Sequence, residues 1–312
     1  MKKEIEKRIF NYVYKKNKFK IIEHKDKPDF WINPNSNFSF GVEITELFEN
    51  ESIARLEKID NYIGELLDSK KIRHKDDKKN IKVESIQIFS KKNELISKQK
   101  AIINSVPKLN DFINILTDCI SKKNRKSINY NSSLGYFNLI INDHTTTLSA
   151  INNIDISQYL FTEKLNQILF ESPFEEILLI TKINNGKYLF PLKRMLFVYN
   201  IYLFQSVFLK LHKTEEDISE EYYYSFLIEF LNYNGLKDLR SKNNNQEIVY
   251  CMTKFSLTND NTVNLTLYEG NDMSEYEKPK IEKRYITEEI EKIIEEEKNS
   301  FGFSCNLEEK IE

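Results

Sequence analysis

Two short apolar runs constrain this chain most. GYFNLIIND (residues 135–143) and the ILLI core of PFEEILLITKINNGKYLFPLK (173–193) are bounded by polar and turn residues. They are too short for buried helices and rich in branched side chains, so they read as strands buried on both faces. A strand with two apolar faces belongs inside a sheet covered by helices on either side. Asn184-Asn185-Gly186 reads as a turn that returns the chain in a further strand. The N-terminal part, to about residue 192, is therefore expected to be an α/β unit with a mixed sheet.

The flanking segments supply the helices. Ile5, Ile9, Tyr12 and Val13 share one face of a helix over 3–16, with Lys and Glu on the other. Residues 51–68, 92–104, 108–127 and 156–170 also read as helices, and 18–23 and 81–89 as strands. The stretch 51–107 reads as a helical insertion in the unit. Beyond residue 192 the pattern predicts a mixed α+β region over 193–312. It holds helices over 194–211 and 216–234, an antiparallel pair over 247–257 and 262–268, and an acidic helix over 286–298. The apolar run Met195–Leu211 is interrupted by Asn200, Gln205 and Ser206, and reads as a buried helix and not a membrane span. Tyr222, Tyr223, Tyr224, Phe226, Phe230 and Tyr233 read first as core or interface aromatics and second as base-stacking ones.

Charge narrows the function classes. Lys+Arg total 46 and Asp+Glu 48, so overall charge does not hold this chain to nucleic acid, and only local basic patches remain for that purpose. Those patches lie around 70–79, 91–100 and 122–126. Cys119, Cys251 and Cys305 form no Cys-x-x-Cys pair, and His74 has no second histidine nearby, so neither a zinc site nor a disulfide framework is expected. The charged start MKKEIEKRIF predicts no secretory leader, and a cytoplasmic location follows. A phosphate-cradling Gly-rich loop and a Gly-x-Ser-x-Gly nucleophile turn are both lacking, which leaves ATP-driven motors and serine hydrolases unsupported.

The chemistry-bearing stretch is KPDFWINPNSNFSFGVEITE, residues 27–46. Phe30-Trp31-Ile32 makes one strand, Pro34 to Asn37 the turn, and Phe38 to Thr45 the next strand. Alternation puts Ser39, Gly41, Glu43 and Thr45 on one face of that strand. Asp29 at the start of one strand and Glu43 inside its neighbour can converge on one cation. Paired carboxylates suit a hard divalent cation, Mg²⁺ or Mn²⁺. The competing reading is a Pro-Asp turn followed by an ordinary hairpin with one exposed Glu.

Pro28-Asp29 and Glu43-Ile44-Thr45, thirteen residues apart between the acids, resemble the PD-(D/E)XK nuclease superfamily, the restriction-endonuclease-like fold. The order helix, then strands, then helix and apolar strand is similar to the core of that family. The chain departs from the pattern at Thr45, where the family carries Lys. The resemblance implies a metal-dependent nuclease acting on phosphodiester bonds, with Asp29, Glu43 and the carbonyl of Ile44 as ligands. A Glu on the first helix joins such sites, here Glu6, with Glu4 as the alternative; both also read as solvated helix charges. A lysine from the helix ahead of the apolar strand replaces the missing one: Lys123 or Lys126, with Lys122 beside them. Those lysines also suit the helix macrodipole alone. Thr45 either bonds a water or fills a strand position. Glu46 falls on the opposite strand face from Glu43. Lys122, Arg125 and Lys126 are expected to hold backbone phosphates.

The implied partner is nucleic acid, DNA ahead of RNA, with a homodimer or partner protein in addition and no membrane. A Lys-, Asn- and Ile-rich composition is common in AT-rich bacteria, which is consistent with the bacterial antiphage or restriction role that the resemblance implies. The alternative is an inactive subunit of the same fold that binds nucleic acid or protein, and the missing lysine at position 45 is its main support.

Overall fold

The computed structural model describes residues 2–14, 19, 21–35, 38–69, 71–103, 106–150, 160–183, 186–212, 218–243, 246–257, 263–267, 273–281 and 283–300. Helix α1 (Lys2–Val13) leads into β1 (Ile21–His24), β2 (Phe30–Asn35) and β3 (Phe38–Leu47). These three strands form an antiparallel meander. Helix α5 (Leu109–Ser127) then crosses to β6 (Phe137–Asp143), which pairs parallel to β3. Helix α6 (Glu163–Phe170) crosses to β7 (Glu176–Ile183), parallel to β6, and β8 (Gly186–Pro191) closes the edge antiparallel. The result is a six-stranded mixed sheet in the order β1-β2-β3-β6-β7-β8.

Both faces are covered. Leu139, Ile141, Ile177 and Leu179 point to one side, where Phe112, Leu116 and Ile120 of α5 and Leu165 and Leu169 of α6 meet them. Ile140, Leu178 and Ile180 point to the other, onto Ile9 and Phe10 of α1 and Tyr14 just past it. This is the two-faced burial expected of the apolar runs.

The insertion departs from expectation in two ways. A single helix over 51–68 is broken into α2 (Glu51–Lys58) and α3 (Tyr62–Ser69). Asn61, in the left-handed region at φ 57°, interrupts it, a conformation that Asn tolerates and that ends a helix. The short helix α4 (Asp77–Asn80) follows. Over the described part of 92–104, residues 92–103, there is no helix. Leu95–Ile103 forms β5, paired antiparallel with β4 (Lys82–Phe89) as a two-stranded ribbon. Lys, Gln and Ala favour helix locally, but pairing with the β-branched residues of β4 overrides that preference. The insertion is thus helical and β-ribbon together.

Beyond the sheet, α7 (Leu192–Leu211) and α8 (Glu220–Tyr233) pack with a four-stranded antiparallel sheet and with α9 (Glu288–Ser300). The expected single strand over 247–257 is two, β10 (Glu247–Tyr250) and β11 (Thr253–Leu257), flanked by β9 (Arg240–Lys242) and β12 (Val263–Leu267). Cys251 and Met252 lie between them at φ 41° and 59°, consecutive positive values that a tight hairpin turn requires and that bulky residues rarely adopt. The turn over 258–261 lies outside the described residues, as do Asn184, Asn185 and residues 156–159; the helix expected over 156–170 begins at Glu163, where the Thr162 side chain caps it.

The expected division at 192/193 falls at the first turn of α7, and packing runs across it. Leu192, Met195 and Leu196 belong to the sheet's core, while Phe197, Ile201 and Phe204 belong to the next. Val249, Met252, Met273 and Tyr276 return to the α1 side of the main sheet. Tyr222, Tyr223, Tyr224, Phe226 and Phe230 of α8 pack this second core, with Phe226 and Phe230 fully buried, while Tyr233 is exposed. Among the described residues no helix is long and apolar enough to cross a membrane.

Candidate active site

The site forms where β2 and β3 part. Their last paired residues toward this end are Phe30 and Val42. Asp29 stands one step beyond. In place of a ladder bond from β2, its carboxylate oxygen Oδ2 accepts the amide of Ile44 at 2.8 Å. The Lys25 amide donates to the Asp29 carbonyl at 2.8 Å, which holds the turn. Gly41 makes room for it: a Cβ there would run into the Pro28 ring and come within 2.8 Å of Phe137. The segment carrying Asp29 therefore lies directly against β3.

Glu43 is buried on the α5 face of β3, 8 % exposed. Phe112, Leu116 and Ile120 turn one face of α5 onto the sheet, and Lys123 follows on that face. Its ammonium donates to Glu43 Oε1 at 2.5 Å and to the Ile44 carbonyl at 3.3 Å. Asp29, Glu43, Ile44 and Lys123 thus meet at one place. Lys122, Arg125 and Lys126 do not join them. They lie exposed along the last turns of α5, where Arg125 Nε donates to the Ser121 carbonyl at 3.4 Å. Thr45 faces the same side and interacts with the Cys119 thiol, which burial pushes up and nearby Lys123 pulls down.

Glu6 is buried, unlike a solvated helix charge, and pairs with His24 Nε2 at 3.1 Å. The His24 ring stacks on Phe30 with centroids 4.4 Å apart, which fixes the imidazole beside the start of β2. Glu4 is exposed. Glu46 points to the α1 side, 3.2 Å from His144 Nε2 and 3.3 Å from Lys58 Nζ. The bond from His144 is the main influence holding its carboxyl below the usual range.

Negative charge is crowded at the fork. Burial pushes the Asp29 carboxyl up and the Glu43 carboxylate adds to it. The Ile44 amide opposes both, Glu6 raises it further, Lys123 lowers it, and the group settles at about 7. Tyr130, just past α5, also borders the site. Its hydroxyl is buried and feels the Glu43 charge, yet no acceptor meets it in good hydrogen-bond geometry. Burial first and Glu43 second push its ionisation far upward, so it stays a neutral donor.

Among the described residues no group of three or more His, Cys, Asp or Glu side chains gathers as a ligand set. What the fork offers is two carboxylates and a backbone carbonyl, all hard oxygen donors. That set fits Mg²⁺, which keeps several waters and takes one or two protein carboxylates.

Sequence reasoning missed Tyr130, His24 and His144 as neighbours of these acids. Tyr130 had a local signal, four residues after Lys126 at the end of the same helix, while the two histidines are brought in by tertiary packing alone. Compared with family models, with curated proteins and with solved structures, the chain matches none.

Proposed function

We propose that the fork of β2 and β3 is the centre of a metal-dependent nuclease of restriction-endonuclease-like type. The observation that carries the reading is the convergence of Asp29, Glu43 and the Lys123 ammonium on one point from two strands and a helix. The order α1-β1-β2-β3-α5-β6, with β3 and β6 parallel, supports it as the family's core arrangement. A divalent cation held by Asp29, Glu43 and the Ile44 carbonyl would polarise the scissile phosphate and acidify a water.

The chain's own groups do the rest. The Ile44 amide orients Asp29. Lys123 orients Glu43, and its positive charge stabilises the negative charge that builds on the phosphate oxygens. Thr45 has no charge to offer, so Lys123 takes the part of the lysine that the motif lacks. Lys122, Arg125 and Lys126 on the exposed end of α5 hold flanking phosphates without reading bases. Hydrolysis adds the water oxygen to phosphorus, breaks one P–O bond and returns a proton to the leaving oxygen.

The test is cleavage of mixed DNA and RNA substrates with Mg²⁺ or Mn²⁺, wild type beside Glu43→Ala and Lys123→Ala. Metal-dependent cutting lost in both variants supports the reading, and no cutting by the wild type on any substrate rejects it. The Lys123–Glu43 ion pair favours a second reading, because it neutralises the acid without any metal. On that reading the chain is an inactive subunit of this fold, with salt-sensitive nucleic-acid binding that survives Asp29→Ala and Glu43→Ala.

A further inference from the structure

A second concave site lies at the same end of the sheet, between α1 and the carboxyl ends of β3, β6 and β7. It encloses 670 Å³, within the range of about 300–1,000 Å³ typical of small-ligand pockets. The carboxyl ends of parallel strands are where open α/β sheets bind ligands. Ile5, Ile9 and Tyr12 of α1 form one wall, and Arg8, Lys182 and Lys187 bring three cations to it.

The balance of unpaired charge decides what fits. The acids on the lining are mostly engaged. Glu46 bonds His144 and Lys58. Asp143 accepts the Thr181 hydroxyl at 2.7 Å and the Thr145 amide at 2.8 Å. Glu57 belongs to the α2 rim, which it shares with a neighbouring apolar crevice. The cations have no such partners: Arg8, Lys182 and Lys187 form no ion pair with a carboxylate among the described residues. Lys187 is half-buried, with its ammonium 4.3 Å from the centre of the Tyr12 ring, and the Tyr12 hydroxyl donates to the Lys187 carbonyl at 3.0 Å. Burial first, then repulsion from Arg8 and Lys182, lowers the proton affinity of that ammonium. With Lys58 paired to Glu46, the three cations Arg8, Lys182 and Lys187 face two acids without a cationic partner among the described residues, Asp143 and Glu57, so the lining keeps a net positive charge and offers a seat for a compact anion.

We propose that this cavity binds a phosphomonoester carried by a nucleotide-sized ligand, with Arg8, Lys182 and Lys187 around the phosphate and Ile5, Ile9 and Tyr12 beside the remainder. The same chemistry reaches the cavity from a free nucleotide or from the phosphorylated end of a nucleic acid. The proposal does not rest on the nuclease reading, since none of its residues belongs to the β2–β3 fork.

Isothermal titration of the full chain tests it with adenosine 5′-monophosphate, adenosine, and an oligonucleotide with or without a 5′-phosphate. The monophosphate is expected to bind and adenosine not to bind. Arg8→Gln and Lys187→Gln are each expected to weaken binding about tenfold or more. Lys187→Arg should retain it, which separates lost charge from lost fold, and Glu43→Gln should leave it unchanged. Preference for the 5′-phosphorylated oligonucleotide over its 5′-hydroxyl form assigns the nucleic-acid end as source; equal binding of the two oligonucleotides, with the monophosphate still bound, assigns the free nucleotide. Absence of binding by any phosphorylated probe at millimolar concentration overturns the proposal. So does binding that ignores both charge-removing variants, or that is lost with Glu43→Gln.

Discussion

The Lys123 ammonium sits between Glu43 Oε1, at 2.5 Å, and the Ile44 carbonyl, at 3.3 Å. A helix residue thus supplies positive charge at a strand position where Thr45 supplies none. If the fork hydrolyses phosphodiesters, Lys123→Met should lower the turnover about 100-fold or more, the usual loss when one charge-stabilising donor is removed. Lys122→Met and Lys126→Met should leave turnover nearly intact. Because those two side chains are exposed, each should instead reduce the salt dependence of binding by about one phosphate contact. Single-turnover cleavage beside binding over a range of salt concentrations separates the two effects.

Asp29 gives a pH signature that needs no substrate. Burial and the neighbouring Glu43 and Glu6 carboxylates carry its folded pKa to about 7, against an ordinary 3.8. Between those values the folded chain keeps a proton that the unfolded chain has released. Stability therefore falls as pH rises through that window and levels off above about 7. Asp29→Asn should remove this decline. Carboxyl ¹³C titration of metal-free protein should show a midpoint near 7 for Asp29, moving down in Glu43→Gln. A midpoint near 4 in the wild type contradicts the crowding seen at the fork.

The main sheet was readable because its signals are local. The continuous apolar runs Leu139-Ile140-Ile141 of β6 and Ile177-Leu178-Leu179-Ile180 of β7 require two covered faces, and both are covered. In the hairpin bearing Asp29 and Glu43 the strand period was readable, but the turn expected over Pro34 to Asn37 differs: Pro34 and Asn35 belong to β2, past an irregularity after Ile32, and Ser36 and Asn37 lie outside the described residues. The choice among the α5 lysines was also latent in the sequence: Phe112, Leu116 and Ile120 mark the buried face, and only Lys123 continues it. What stayed hidden depends on contacts distant in sequence or on unusual backbone. Leu95–Ile103 becomes a strand only because β4 pairs with it. The hairpin at Cys251-Met252 uses positive φ without Gly or Asn. The burial of Glu6 depends on His24, which stacks on Phe30 across the meander.

Gly41 couples strand packing to Asp29. Any Cβ at this position meets the Pro28 ring on one side and Phe137 on the other. Gly41→Ala should destabilise the fold by about 1–3 kcal/mol, as overpacking of a close contact does. It should also push the Pro28-Asp29 segment off β3 and weaken the bond from the Ile44 amide. The expected pair of readouts is a lowered midpoint of chemical unfolding and a loss of turnover that persists where the variant is fully folded. Full activity in a stably folded Gly41→Ala variant removes the link between this contact and the site.

In the insertion, Asp77 has no exposed surface, and its carboxylate is covered by Arg55 and by the Tyr62 hydroxyl at 2.5 Å. Burial alone raises its pKa. The bonds from Arg55, Tyr62 and Ser52 together overcome that and bring it to about 2, below the ordinary 3.8. A depressed carboxyl stabilises the fold fully above its unfolded pKa, near 4, and the contribution is lost as pH falls toward 2. Arg55→Met leaves the acid without its counter-charge and should cost about 3–5 kcal/mol at neutral pH. Because Asp77 links α2, α3 and α4, the damage should concentrate there. Hydrogen exchange should show lost protection over residues 51–81 in Arg55→Met, with β6 and β7 still protected. Equal loss in β6 and β7 would mean that the insertion is not a separable unit of stability.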